Sequence, residues 1–187
     1  RSPDDLSKKP IDYLLYFKCD KHKFKGFENA SVETFKRMKA AYYGMVSQID
    51  QEIGLVVESL KKKELFDDTI IILTSDHGEF TGDHGIPGKA PFLLDCMLHV
   101  PCIIRVPGCD EAKRIPELCE SVDLFPTLLS LLDFEIPEFI QGRDLSGYIQ
   151  NDKSDKLFRR EYIYAEAVDK KCIRTQQWKY IHYPARD

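Results

Sequence analysis

The run Thr69-Ile70-Ile71-Ile72-Leu73-Thr74 constrains the fold more than any other feature of this chain. Successive side chains of a strand point to opposite faces. A run that is apolar and β-branched at nearly every position therefore needs cover on both. Helices on two faces of a parallel sheet provide that cover. Pro101–Val106, closed by Pro107-Gly108, repeats the pattern and predicts a second buried strand.

Upstream of the first strand the period changes. Phe35, Met38, Tyr42, Met45, Ile49, Ile53, Val56 and Leu60 recur at steps of three and four, predicting a helix over Val32–Lys63. Lys36, Lys39, Gln51, Glu58 and Lys62 form its polar face. Glu33 in the first turn and Lys61-Lys62-Lys63 in the last complement the helix dipole. Asn29-Ala30-Ser31 fits a glycosylation sequon, but an Asn or Ser helix cap is the better reading. The first 30 residues are polar and lysine-rich and read as a loop-rich entry segment.

Val122–Leu132 predicts a helix with Pro126 in its first turn, and Pro137 to Leu145 a loop. Asn151–Lys156 is a polar linker. Glu161–Ala167, Lys171–Thr175 and Trp178–Tyr183 alternate like strands, with Gln176-Gln177 as a two-residue hairpin loop. The predicted fold is α/β, with a mostly parallel central sheet flanked by helices and a small C-terminal antiparallel β module. Residues 1–150 form the α/β part and residues 151–187 begin the antiparallel part.

Composition excludes some functions. The 187 residues carry 27 Lys and Arg against 31 Asp and Glu, a net charge of −4. A general nucleic-acid binder needs a basic face, so no nucleic-acid partner is expected. No apolar run is long enough to span a bilayer, so no membrane partner is expected. The six cysteines form no Cys-x-x-Cys pair and read as free buried thiols, leaning to a reducing, cytoplasmic setting. Tyr42, Tyr43 and Trp178 read as packing residues and His99 as structural. Asp50 and Asp123 read as local hydrogen-bonding residues and His182 as exposed.

The chemistry concentrates after the first strand. Thr74-Ser75-Asp76-His77-Gly78-Glu79 stands at its carboxyl end, where open α/β sheets bind ligands. In a loop, Asp76 and His77 can face one ion as a mixed oxygen–nitrogen pair suited to several divalent metals. Gly82-Asp83-His84-Gly85 and Gly88-Lys89 follow. The glycines permit close backbone approach, and Lys89 can set a compact cation over an anionic substrate. Metal or anion binding competes here with a plain turn capped by Asp76. Asp83 and His84 read as loop hydrogen-bonding residues rather than supports of a metal site.

These motifs resemble the sulfatase branch of the alkaline phosphatase superfamily. The resemblance runs over roughly residues 31–183. It takes in Ala41-Tyr42-Tyr43-Gly44-Met45-Val46 with Ile49-Asp50, Val100-Pro101 with Pro107-Gly108, and Val122-Asp123-Leu124-Phe125-Pro126-Thr127-Leu128-Leu129. Gly142-Arg143-Asp144-Leu145 and Arg174-Thr175 with Trp178-Lys179-Tyr180-Ile181 complete it. It implies an alkaline-phosphatase-like fold and hydrolysis of a small-molecule or carbohydrate sulfate ester. Asp76 and His77 would be metal ligands, and Lys89 would contact the sulfate as a catalytic residue. The metal would be divalent, calcium first, with manganese or zinc as alternatives. The family's nucleophile is a formylglycine made from a Cys or Ser in a Cys/Ser-x-Pro/Ala-x-Arg motif. No cysteine here has that motif, and the family's N-terminal paired aspartates are absent too. The expectation is a C-terminal part whose nucleophile lies upstream, in a missing N-terminal half of the same protein. Phosphonate monoester or phosphodiester hydrolysis, and a degenerate non-catalytic relative, are the alternatives.

Overall fold

The computed structural model describes residues 27, 30–109, 111–150 and 159–184. Cys19, the linker Asn151–Lys156 and all of the entry segment except Phe27 and Ala30 lie outside the described residues. The chain divides into two compact units, Arg1–Asp67 with Leu73–Cys102, and Asp68–Ile72 with Ile103–Asp187.

In the first unit the helical period gives α1, Val32–Lys62. Ser31 caps it, its Oγ accepting from the Thr34 amide at 3.2 Å. No residue of α1 is buried. Phe35, Met38 and Tyr42 are half-buried, whereas Met45, Ile49 and Val56 are exposed. Tyr43, expected to pack, is 67% exposed. A periodic stripe records which face a helix can bury, not how much partner surface the chain supplies to it. The core of this unit comes instead from the segment read as a ligand loop. Phe80, Ile86, Ala90, Phe92 and Leu93 are buried, with the Phe80 and Phe92 rings edge-to-face at 6.3 Å. A short helix, α2 (Asp95–Leu98), follows; its final turn is closed by the amide of His99, which is exposed rather than structural.

The strands β1, Ile71–Thr74, and β2, Cys102–Arg105, pair in a two-stranded sheet. Both are shorter and less covered than their sequences predict: Ile71–Leu73 are half-buried, and Cys102 and Ile103 are exposed. Two strands have open edges, so a doubly apolar run cannot be enclosed by them alone. Arg105 secures this part of the second unit by donating from Nη1 to the Thr69 carbonyl at 2.9 Å. The expectation of buried thiols holds for Cys172. Cys96 and Cys109 are half-buried, and Cys102 and Cys119 are exposed.

The second unit continues with a 3-10 turn, Ser121–Asp123, leading into α3, Leu124–Leu131, and later α4, Ser146–Ile149. Asp123 is fully buried and does more than cap. Its Oδ2 accepts from the Glu120 amide at 2.7 Å, and its Oδ1 from the Arg143 amide at 2.8 Å and Arg160 Nη2 at 2.7 Å. Arg160 Nη1 also faces Glu120 Oε2 at 2.5 Å, as an ion contact rather than an aligned hydrogen bond. Glu120 Oε1 in turn accepts from the Tyr164 amide.

This charge knot joins the start of α3 to a three-stranded antiparallel sheet. Its strands are β3 (Ile163–Ala167), β4 (Lys170–Arg174) and β5 (Lys179–His182), in that order. Register aligns Tyr164, Ile173 and Tyr180 across the sheet. The predicted hairpin at Gln176-Gln177 forms. The Thr175 amide donates to Trp178 O at 2.8 Å, and Thr175 Oγ1 accepts from the Trp178 amide at 2.9 Å. That hydroxyl supplies the local closure a Gly or Asn turn would otherwise give. Trp178, expected to pack, is 78% exposed at this turn.

Candidate active site

The segment after β1 folds by short polar contacts. Ser75 Oγ donates to the His77 carbonyl at 2.9 Å. Asp76 Oδ1 accepts from the His77 amide at 2.9 Å. That backbone bond, and secondarily the nearby His77 ring charge, hold the Asp76 carboxyl below its ordinary value. The exposed carboxylate is therefore ionised across the neutral range.

His77 Nδ1 lies 2.8 Å from the Gly78 carbonyl. A carbonyl only accepts, so Nδ1 carries a proton, and in the neutral form of the ring Nε2 keeps a lone pair. Nε2 stands 3.5 Å from Asp76 Oδ2. The ring is thus orientated from behind by a backbone acceptor, an arrangement usual for metal-bound histidines. Two donors at roughly 2.0 to 2.5 Å from one divalent ion sit roughly 3 to 3.5 Å apart when they subtend a right angle. The pair fits that spacing and supplies one oxygen and one nitrogen. Among the described residues no group of three or more His, Cys, Asp or Glu side chains is placed to hold an ion.

Gly78 fixes the next step of the backbone. Its amide donates to Met97 O at 2.8 Å, and a Cβ there would overlap the Cys96 carbonyl oxygen. Only glycine lets the segment lie this close to α2.

A tightly curled turn follows. Gly82 donates to Ile86 O at 2.7 Å, Gly85 to Gly82 O at 3.0 Å and Ile86 to Asp83 O at 3.1 Å. Thr81, Gly82, His84 and Gly85 all have positive φ, at 47°, 91°, 56° and 76°. For Thr81, a β-branched residue, and for His84 this conformation costs about 1–3 kcal/mol each. Phe35 of α1 lies where a Gly82 Cβ would be, and Lys39 Nζ bonds Asp83 Oδ1 at 2.6 Å. Asp83, expected to hydrogen-bond within the loop, pairs instead with Lys39 of α1. The His84 ring stands edge-on to Phe80 at 6.3 Å.

Lys89 is exposed at the far end of the same segment. The fold brings Asp76 and His77 into contact; no hydrogen bond or ion pair joins Lys89 to them among the described residues. Sequence reading missed Ser75, Thr81 and Lys39. Ser75 was accessible through its adjacency to Asp76. Lys39 carried no signal, because its partner Asp83 lies 44 positions away on another element.

The sequence matches the family model described as Sulfatase over residues 10–134, and the one described as N-sulphoglucosamine sulphohydrolase, C-terminal, over residues 82–187. It is similar to arylsulfatase K of Mus musculus, at 31% identity over 93% of this chain and 32% of that protein. It is also similar to the multifunctional alkaline phosphatase superfamily protein PehA of Trinickia caryophylli, at 37% identity over 80% of this chain and 33% of that protein. Among solved structures, BT1596, a 2-O GAG sulfatase, superposes with a TM-score of 0.84 at 22% identity. That match covers 96% of this chain and 41% of the other, and it supports the fold. The chain spans about a third of the length of the curated relatives it matches. On the match over residues 10–134, the chain belongs to the sulfatase family.

Proposed function

We propose that this chain is the C-terminal part of a metal-dependent sulfatase, and that Asp76, His77 and Lys89 act in hydrolysis of a sulfate ester. The observation that carries the reading is the oriented donor pair. His77 Nδ1 is committed to the Gly78 carbonyl, and Nε2 stands beside an ionised Asp76 carboxylate. In this reading residues 1–150 belong to the α/β core and residues 151–187 open the antiparallel subdomain.

Asp76 and His77 hold the divalent cation, calcium in the first instance, with manganese and zinc as the competing ions. When bound, that ion supplies positive charge that polarises the sulfate and offsets charge developing on its oxygens. Asp76 needs no deprotonation step, because its carboxyl is already held ionised by the His77 amide. Gly78 O holds the proton on Nδ1 of His77, so the ring meets the cation without a tautomer change. Lys89, a compact ammonium on an exposed stem, contacts the sulfate and the leaving oxygen. The nucleophile, a formylglycine, lies upstream of this chain.

The test is hydrolysis of an aryl sulfate by the full-length protein, with metal added back after chelation. Asp76→Ala and Lys89→Ala are expected to lower kcat/KM at least a hundredfold. Undiminished activity in Asp76→Ala would refute the site.

The similarity to a solved phosphonate monoester hydrolase from Silicibacter pomeroyi, at 27% identity over 84% of this chain and 35% of that chain with a TM-score of 0.72, favours one second reading: hydrolysis of phosphonate monoesters or phosphodiesters at the same residues. Relative kcat/KM on matched sulfate and phosphate esters decides between them. A preference for the phosphorus ester makes this second reading the right one.

A further inference from the structure

We propose that Lys39 is a positioning residue of this site: by pairing with Asp83 it holds the curled turn Thr81–Gly85 against α1 and so sets where Lys89 stands. The inference rests on the sulfate-ester reading above. It names a residue outside the loop on which that reading depends.

Three observations converge on the turn. It stands in the chain between His77 and Lys89, so any displacement of it is passed to one side of the site relative to the other. Its upstream end is fixed independently, because Gly78 is hydrogen-bonded to Met97 O and pressed on the Cys96 carbonyl. The turn itself has a different anchor: Gly82 closes on the Phe35 ring, and Lys39 Nζ reaches Asp83 Oδ1 at 2.6 Å. Phe35 and Lys39 are one helical turn apart on α1, so both contacts come from one face of the helix.

The second reason is conformational. Thr81 and His84 hold backbone angles that relaxed chains avoid, and such a state persists only where surrounding contacts impose it. Phe80 and Ile86, fully buried, fix the base of the turn. The Lys39–Asp83 pair is a polar contact that holds its tip to α1. It is partly exposed, so its contribution to global stability is small. Its effect is expected in where a catalytic cation is placed, to which a small displacement matters far more.

The experiment compares Lys39→Ala, Lys39→Arg and the exchanged pair Lys39→Asp with Asp83→Lys in the full-length protein. Arg37→Ala is the matched control, because it removes an exposed ion pair with Glu33 on the same helix. On an aryl sulfate, Lys39→Ala is expected to lower kcat about tenfold with KM changed less than about twofold. Lys39→Arg restores most of the loss, and the exchanged pair restores part of it. Amide exchange at Gly82, Gly85 and Ile86 accelerates in Lys39→Ala while exchange in α3 does not. A wild-type kcat in Lys39→Ala, with Asp76→Ala inactive, overturns the positioning role and leaves the site reading standing. Full activity in Asp76→Ala overturns the site reading and this inference with it. A kcat loss in Arg37→Ala as large as in Lys39→Ala also overturns the positioning role.

Discussion

Lys39–Asp83 and Arg160–Asp123 join the same kinds of group at nearly the same distance, 2.6 Å and 2.7 Å, in opposite surroundings. The first pair is open to water, with side chains 38% and 50% exposed; the second is 6% and 0% exposed. In water both partners of the first pair regain hydration when it breaks, so little stability depends on it. In the second, removing one partner leaves a buried charge with nothing to replace it. Distance alone therefore says nothing of what an ion pair contributes. The buried pair belongs to a region that serves as a fixed frame. The exposed pair belongs to the region proposed above to arrange chemistry.

The strongest way to break the comparison is to remove the buried partner. Arg160→Ala is expected to destabilise by about 3–5 kcal/mol in urea unfolding, because Asp123 and Glu120 then lose the cation they share. A loss under about 1 kcal/mol would show that water reaches the knot.

Next comes Gly82→Ala in the exposed region. Its φ of 91° and the Phe35 ring both oppose a Cβ, for an expected loss of about 1–3 kcal/mol. Phe35→Ala in the same background separates the two causes: it relieves the contact and leaves the backbone penalty.

Smaller again is Lys39→Ala, expected to cost under about 1 kcal/mol, and less at high salt. A loss matching that of Arg160→Ala would erase the distinction between the regions. The smallest effect is protonic. The Asp76 carboxyl is lowered from 3.8, chiefly by the His77 amide, so its NMR titration should fall below that value. A depressed folded value adds stability above the unfolded value, and that stability is lost as pH falls through the folded midpoint. A midpoint above 3.8 would mean the His77 amide bond is not formed in solution.

The two regions also differed in how legible they were. Asp76, His77 and Lys89 fall within one short stretch of sequence, and the roles proposed for them rest on residue type and spacing. The knot has no such spacing. Asp123 announces a helix start ahead of Leu124-Phe125-Pro126, but its Arg160 partner is 37 positions on and sits among ordinary polar residues. Trp178 and Tyr43 look like core by type, and the fold leaves both exposed. Thr175 shows the reverse: a hydroxyl did for the hairpin what the usual glycine signal would have done.

What the sequence by itself determined is local. The period of α1, its Ser31 cap, the strands and the order of motifs follow from interactions within a few residues, which spacing encodes. Tertiary structure alone decided which apolar faces are covered, that the glycine-rich segment carries the first unit's core, and which charges meet. The reason is physical. Burial and charge pairing depend on what lies across a few ångströms of space, and spacing along the chain does not record it.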